Sequence, residues 1–337
     1  MLTRVDSEKR EYDILSQFAA KAAGSLGRTK PEEQCKLRTE FQRDRDRIIH
    51  SKALRRLMHK TQVFLAPEGD HFRTRLTHTL EVNQISGTIA RALMLNEDLT
   101  TSIAMGHDLG HTPFGHNGEE ILDRIHPGGF KHNIQSLRVV DVLEKSGGKR
   151  GMNLTEEVRD GIKHHTGKGI PMTLEGQVVK ISDRIAYINH DIDDAIRSNI
   201  INAEDLPPEC VKTLGDTKKL RIDTLVNDLV RNSDGKDHIS QGEECAFYMN
   251  KLRTYMFENI YHNNQVKKDE ELEKVETIIT ELYDYYIKHP HQMPEEYQSM
   301  IDEFGIQEMV KDQIAGMTDR YAIDTFTRLF IPESWNG

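Results

Sequence analysis

The segment Gly106-His107-Asp108-Leu109-Gly110-His111-Thr112-Pro113-Phe114-Gly115-His116-Asn117-Gly118-Glu119 sets three imidazoles and two carboxylates among four glycines and a proline. Such side chains bind borderline and hard metal ions and move protons near neutral pH. Glycine lets a backbone turn tightly and approach a ligand closely. The plain alternative is a surface loop that happens to be rich in histidine. Five metal-competent residues within thirteen weigh against it. With His78 upstream and Asp183 downstream, the segment points to a metal-dependent hydrolase.

Two histidines and two aspartates make a mixed nitrogen/oxygen donor set that suits Mn, Fe, Ni, Co, Zn or Mg and leaves positions for water and substrate. An ion held this way lowers the pKa of bound water and polarises a phosphoryl oxygen. His111, His116 and Glu119 would surround it, free for proton transfer and leaving-group stabilisation.

The elements that must position these groups read as helices. At about 100° per residue, His78, Val82, Ile85 and Ile89 fall within one narrow arc, so His78 sits inside an apolar stripe. His107 continues the stripe begun by Leu99 and Ile103, and Gly110 ends that helix. Asp183 lies in a long amphipathic stretch whose apolar face is Val178, Ile181, Ile185, Ile188, Ile192 and Ala195. Its other face, Asp183, Tyr187, Asp191 and Asp194, reads from this helix alone as wet; the alternative is the wall of a polar cleft.

Helical periodicity is expected over 43–60, 76–95, 98–108, 133–145, 155–165, 174–198, 218–232, 243–262, 267–288, 294–303 and 305–314. Breaks fall at Pro67-Glu-Gly-Asp70, at Pro127-Gly-Gly129 closing the histidine loop, at Ser146–Gly151 and at Pro207-Pro208. Lys267–Lys274 reads as a solvated helix face. No strand-helix-strand repetition occurs, so the expected class is all-α: a catalytic core over 1–200, including a basic N-terminal region, and an acidic helical extension over 201–337. Gly147-Gly-Lys149 lacks the P-loop spacing, and neither GxGxxG nor HExxH occurs.

Among 337 residues, 30% are charged and 36% hydrophobic, enough for a sizeable core. No run of eighteen apolar residues suggests a membrane span, and the first ten residues lack the apolar core of a signal peptide. Cys35, Cys210 and Cys245 form neither a disulfide framework nor a zinc-finger spacing, so a cytoplasmic location is expected. The net charge is −10, yet Arg28–Lys60 holds 11 basic against 5 acidic residues, a local +6 that leaves −16 for the rest. That block suits an anionic ligand, although charge alone leaves an exposed basic helix equally open. The overall acidity argues against a nucleic-acid-coating role, while a local basic groove could still meet a single strand.

In this order, His78, His107-Asp108 and Asp183 resemble the HD superfamily of metal-dependent phosphohydrolases. The surrounding stretches carry a narrower resemblance, to the deoxyguanosine-triphosphate triphosphohydrolase (dGTPase) family. They are Phe41–Ser51, Leu54–Leu57, Lys60–Phe64, Arg73–His78, His107–Glu119, Phe130–Ser136 and Asp183–Tyr187 with His190-Asp191. A fainter likeness lies in Gly316-Met-Thr-Asp-Arg-Tyr-Ala322, and about 200–300 is less telling.

The resemblance implies an HD-domain helical core with added C-terminal helices. It would cleave a deoxynucleoside triphosphate (dNTP) between the 5′ oxygen and the α-phosphorus, releasing deoxynucleoside and tripolyphosphate. It implies a divalent metal on His78, His107, Asp108 and Asp183, and catalytic or phosphate-contacting roles for His111, His116, Glu119 and His132. By the same resemblance Arg75, Arg184 and Tyr187 grip the triphosphate, while Gln62 and Asp191 read the sugar 3′-hydroxyl. Asp191 lies two helical turns past Asp183, about 12 Å along the same wall. Relatives of this kind are homo-oligomers, some activated by nucleotides at subunit interfaces, and the basic block could supply such a site. Two other readings stand beside it: an HD phosphodiesterase or nuclease acting on another phosphate ester, and a dNTP sensor with little turnover.

Overall fold

Three helices with facing apolar stripes frame the centre of the molecule. Val82, Ile85 and Ile89 of Arg75–Ala92, Leu99 and Ile103 of Glu97–Gly106, and Ile185, Ile188 and Ile192 of Leu174–Arg197 are all buried. The three pack pairwise against one another. Each such side chain contributes roughly 1.5–3 kcal/mol on leaving water, so the frame is set mainly by burial. Short polar residues start the helices: side chains of Thr74, Asn96 and Thr173 accept the backbone N–H three residues on. Glu40–Ile49 lies across the second helix, where Ser102 donates to the Phe41 carbonyl at 3.0 Å.

This computed structural model describes residues 1–62, 73–261 and 269–332, which are all-α apart from a hairpin pairing Lys145–Ser146 with Lys149–Arg150. The expected break at Pro67–Asp70 lies outside the described residues, as do the end of Lys60–Phe64 and the start of Lys267–Lys274. Among the described residues, no helix is long and apolar enough to cross a membrane.

Several expected elements differ in detail. The 43–60 helix is two, Glu40–Ile49 and Lys52–Arg56, because Ser51 caps a new start by accepting from Leu54 N–H at 3.1 Å. The 294–303 helix is likewise two short pieces, Glu295–Gln298 and Ile301–Phe304. The end of the histidine-rich stretch, read as loop, opens the helix Gly115–Ile125. Helices Arg4–Ile14, Pro208–Leu214 and Asp319–Phe330 add to those expected. The face of Asp183 is not wet: Asp191 and Asp194 are buried and Asp183 is half-buried, against the helix that carries His78.

Apolar side chains gather in two clusters. The first surrounds the three framing helices and runs on through Leu206, Leu229 and Met256. The second joins Phe114, Ile121, Leu122 and Phe130 to the C-terminal Ile279, Leu282, Met309, Val310 and Ile314. The histidine-rich stretch runs between them: Leu109 belongs to the first, Phe114 to the second.

Candidate metal centre and its surroundings

His78 sits one turn into its helix and His107 at the end of the next, and both are buried. Two glycines make the close packing possible. A Cβ on Gly106 would lie 2.6 Å from Ile162 Cδ1, and one on Gly110 would lie 2.1 Å from Ser136 N. Ser136 then pins the turn, donating to the His107 carbonyl at 2.7 Å and accepting from Gly110 N–H at 2.9 Å.

Donor atoms of His78, His107 and Asp108 lie within 4.8 Å of one another, so this trio could hold a metal ion. Asp183 adjoins it: its Oδ1 is 3.0 Å from His78 Nε2 and 3.8 Å from His107 Nε2. His107 Nδ1 donates to the Ala104 carbonyl at 2.7 Å, which leaves a bare lone pair on a buried Nε2 that has no hydrogen-bond partner. An orphaned imidazole nitrogen beside two carboxylates fits a cation. Burial pushes the Asp183 carboxyl up, but the hydrogen bond from His78 and the adjoining rings of His107 and His78 outweigh it and hold it well below the usual range. Asp108 is likewise held low against burial, by His107, His111 and Arg75. Both carboxylates are therefore ionised, as metal ligands must be. Burial alone would lower His78, yet the hydrogen bond and charge of Asp183 raise it.

A second trio, Asp108, His111 and His132, also brings its donor atoms within 4.8 Å. His111 Nε2 is 3.2 Å from Asp108 Oδ1, and its ring stacks on His132 with centroids 4.1 Å apart. Burial, then Arg75 and His132, push His111 well below its ordinary value, so it is neutral. Glu119 orients His132 twice, accepting from its backbone N–H at 2.9 Å and from Nδ1 at 2.8 Å. Against burial, His116 and His132 hold the Glu119 carboxyl far below the usual range. His116 is the exposed member, its side chain 65% accessible and 3.6 Å from Glu119.

Arg75 is not a surface ion-pair partner. Its side chain is 2% exposed, and Nη1 donates to Asp108 Oδ2 at 3.0 Å, while buried Nε and Nη2 have no hydrogen-bond partner. Gln62 has its carbonyl next to Gly115, 3.1 Å from where a Cβ would stand, and its side-chain oxygen is buried without a partner. Tyr187, one turn past Asp183, accepts from Arg253 Nε at 3.0 Å. Half-buried Arg184 lies near enough to Lys180 to add to the burial that depresses it, and Asp191 is buried further along.

Three further groups at the site carry no role in the sequence reading. His165 donates Nδ1–H to the Ile162 carbonyl at 2.7 Å and sets Nε2 3.2 Å from His132 Nε2. Burial, then His107 and His132, push it down to about 3. Its spacing from Val158 and Ile162 on an apolar stripe was the available signal. His190 contacts Glu81 at 2.8 Å behind His78. Lys60, buried and pushed down to about 7 chiefly by burial, donates to the carbonyls of His111 and Ala315. A separate cavity of about 540 Å³ lies behind Lys60 and Gly110, lined by Lys52, Arg55, Arg56 and Arg150 and by none of the metal-competent histidines.

Residues 75–188 match the HD domain and residues 239–328 a phosphohydrolase-associated domain. A deoxyguanosinetriphosphate triphosphohydrolase-like protein of Caldanaerobacter subterraneus subsp. tengcongensis is 54% identical over 99% of this chain and 98% of its own length. Proteins of the same name from Desulfatibacillum aliphaticivorans and Clostridium tetani are each 46% identical, over 98% and 93% of this chain and 99% and 92% of their own lengths.

Proposed function

This chain belongs to the family of deoxyguanosinetriphosphate triphosphohydrolase-like proteins and is a metal-dependent phosphohydrolase of the HD type, and from that premise we propose that it hydrolyses a deoxynucleoside triphosphate to deoxynucleoside and tripolyphosphate. The observation that carries the substrate class is Arg75, a buried guanidinium beside a metal-competent carboxylate with two N–H groups unpartnered. Such a fork calls for an anion, and phosphate oxygens match its geometry.

In this reading His78, His107, Asp108 and Asp183 hold the ion, which when bound supplies Lewis-acid polarisation and activation of water. Water oxygen attacks the α-phosphorus, the bond from phosphorus to the 5′ oxygen breaks, and that oxygen takes a proton. His132, aligned by Glu119, is placed to manage this proton, with neutral His111 stacked on it and His116 at the open side. Arg75 and Arg184 position the phosphates, Tyr187 flanks them, and Gln62 and Asp191 meet the sugar. Activation by nucleotide, in a homo-oligomer, belongs to the same proposal. Its support is the cavity lined by Lys52, Arg55 and Arg56 of the basic block, which shares Lys60 and Gly110 with the back of the site.

The test is product analysis with each dNTP singly and with all four together, in Mn²⁺ or Mg²⁺. Tripolyphosphate with deoxynucleoside is the expected outcome, and its appearance only in mixtures would establish activation. Pyrophosphate or orthophosphate would overturn the cleavage position. No product under any condition would favour a dNTP-binding sensor.

A further inference from the structure

The stretch Gly316–Ala322 has no place in the chemistry just described, yet it reaches into the site from the far end of the chain. Phe114 adopts φ +63° and ψ +22°, and Gly115 follows with φ +59°. A left-handed turn is unfavourable for a bulky L side chain and persists only when its surroundings enforce it. Asp319 meets this turn: its Oδ1 accepts from Phe114 N–H at 3.0 Å. Its Oδ2 accepts from Thr61 N–H at 3.1 Å and from the Thr61 hydroxyl at 2.7 Å. Thr61 in turn bridges Thr74, the cap of the helix that carries Arg75 and His78.

Nearby, the Ala315 carbonyl and the His111 carbonyl share the Lys60 ammonium. A Cβ on Gly115 would stand 3.2 Å from Arg75 Nη2, so the turn packs directly on that guanidinium. An acidic residue in a first helical turn ordinarily serves its own helix. Asp319 instead directs these contacts outward, to residues 205 and 258 positions away.

We infer that Asp319 is a positioning residue: its carboxylate holds the Phe114–Gly115 turn in register with the Arg75 helix and thereby aims His111 and His116 at the ion's open side. This rests on the function proposed above but is tested partly without it. Asp319→Asn keeps one acceptor oxygen and sets an amide N–H against a backbone N–H. In the full-length, metal-loaded protein we expect amide exchange over 111–119 to speed up by about tenfold or more, as for a hydrogen bond whose loss leaves a buried donor unpaired. Exchange in the Glu97–Gly106 helix and the bound metal should stay as in the wild type. Turnover should fall by about tenfold or more with KM within about threefold, the split expected of a misaimed catalytic group.

Unchanged exchange over 111–119 in folded Asp319→Asn protein overturns the inference, and so does faster exchange with unchanged turnover. If Asp319→Asn does not fold, Thr61→Val removes one of the donors and should show the same pattern at about threefold; no change in exchange there overturns it too. If the wild type turns over no dNTP, the functional reading fails while the exchange comparison still decides whether Asp319 holds the turn.

Discussion

The metal-competent quartet and the strip from His111 to Glu119 adjoin along one chain but are built differently. His78, His107 and Asp183 project from helices whose apolar stripes interlock in the first cluster, so burial alone brings them together. The strip passes through a left-handed turn into the second cluster, and residues far along the chain hold it there: Asp319 on Phe114, and Ala315 through Lys60 on His111. A helix face is rigid because its neighbours exclude alternatives; a strained turn is rigid only while its distant ties remain. The difference suits a division in which one region keeps an ion still and the other presents proton-handling groups at its edge.

Removing a ligand is the severest way to test that division. His107→Ala or Asp183→Ala should lose metal and turnover together, by more than the roughly 10–100-fold typical of outer-shell changes; full metal content in both, by elemental analysis, would refute the site. Glu119→Gln and His132→Ala should instead keep the ion and lose about 10²–10⁴ in kcat, the usual worth of a proton-transfer group. His116→Ala should behave alike, and unchanged turnover in both the Glu119 and His116 variants would remove their assigned role.

Glu175 probes the helical region without touching its chemistry. It begins the helix that carries Asp183, is fully buried, and accepts from Ala20 N–H at 3.0 Å and Asn96 N–H at 2.9 Å. Burial pushes its carboxyl up from 4.5 to about 7 despite those bonds. Because the folded state holds the proton more tightly than the unfolded state, stability falls as pH rises from about 4.5 to about 7 and stays reduced above that. The contribution is of order 3 kcal/mol at most. Glu175→Gln should flatten that part of the urea-midpoint profile and leave the metal content alone. An identical slope in the variant would contradict the buried charge. The smallest effect is expected for Tyr187→Phe, whose lost hydroxyl should raise KM about threefold with kcat unchanged.

Much of the quartet was legible because its signals are local. The spacing of His78 with Val82, Ile85 and Ile89, and of His107 with Leu99 and Ile103, implied inward-facing imidazoles, and all of these residues are buried. The polar face of Asp183 misled because one helix does not reveal what packs against it; the Arg73 contacts that cover Asp193 and Asp194 come from over a hundred residues away. His165 was readable by the same periodicity but adjoins no other motif, so it drew no notice. The Gly115–Ile125 helix was hidden by its glycines, which weaken helix propensity locally and are tolerated because Ile121 and Leu122 are buried in the second cluster.

By itself the sequence determined the donor types, their helical phase and the all-α class, since each follows from side-chain chemistry and a period of 3.6 residues. Only the tertiary structure decided that Arg75 is buried against Asp108, that His165 meets His132, and that Asp319 accepts from Phe114 N–H. Those pairings join residues separated by 33, 33 and 205 positions. No local propensity encodes a contact of that span; it exists because two packed clusters bring the partners to one place.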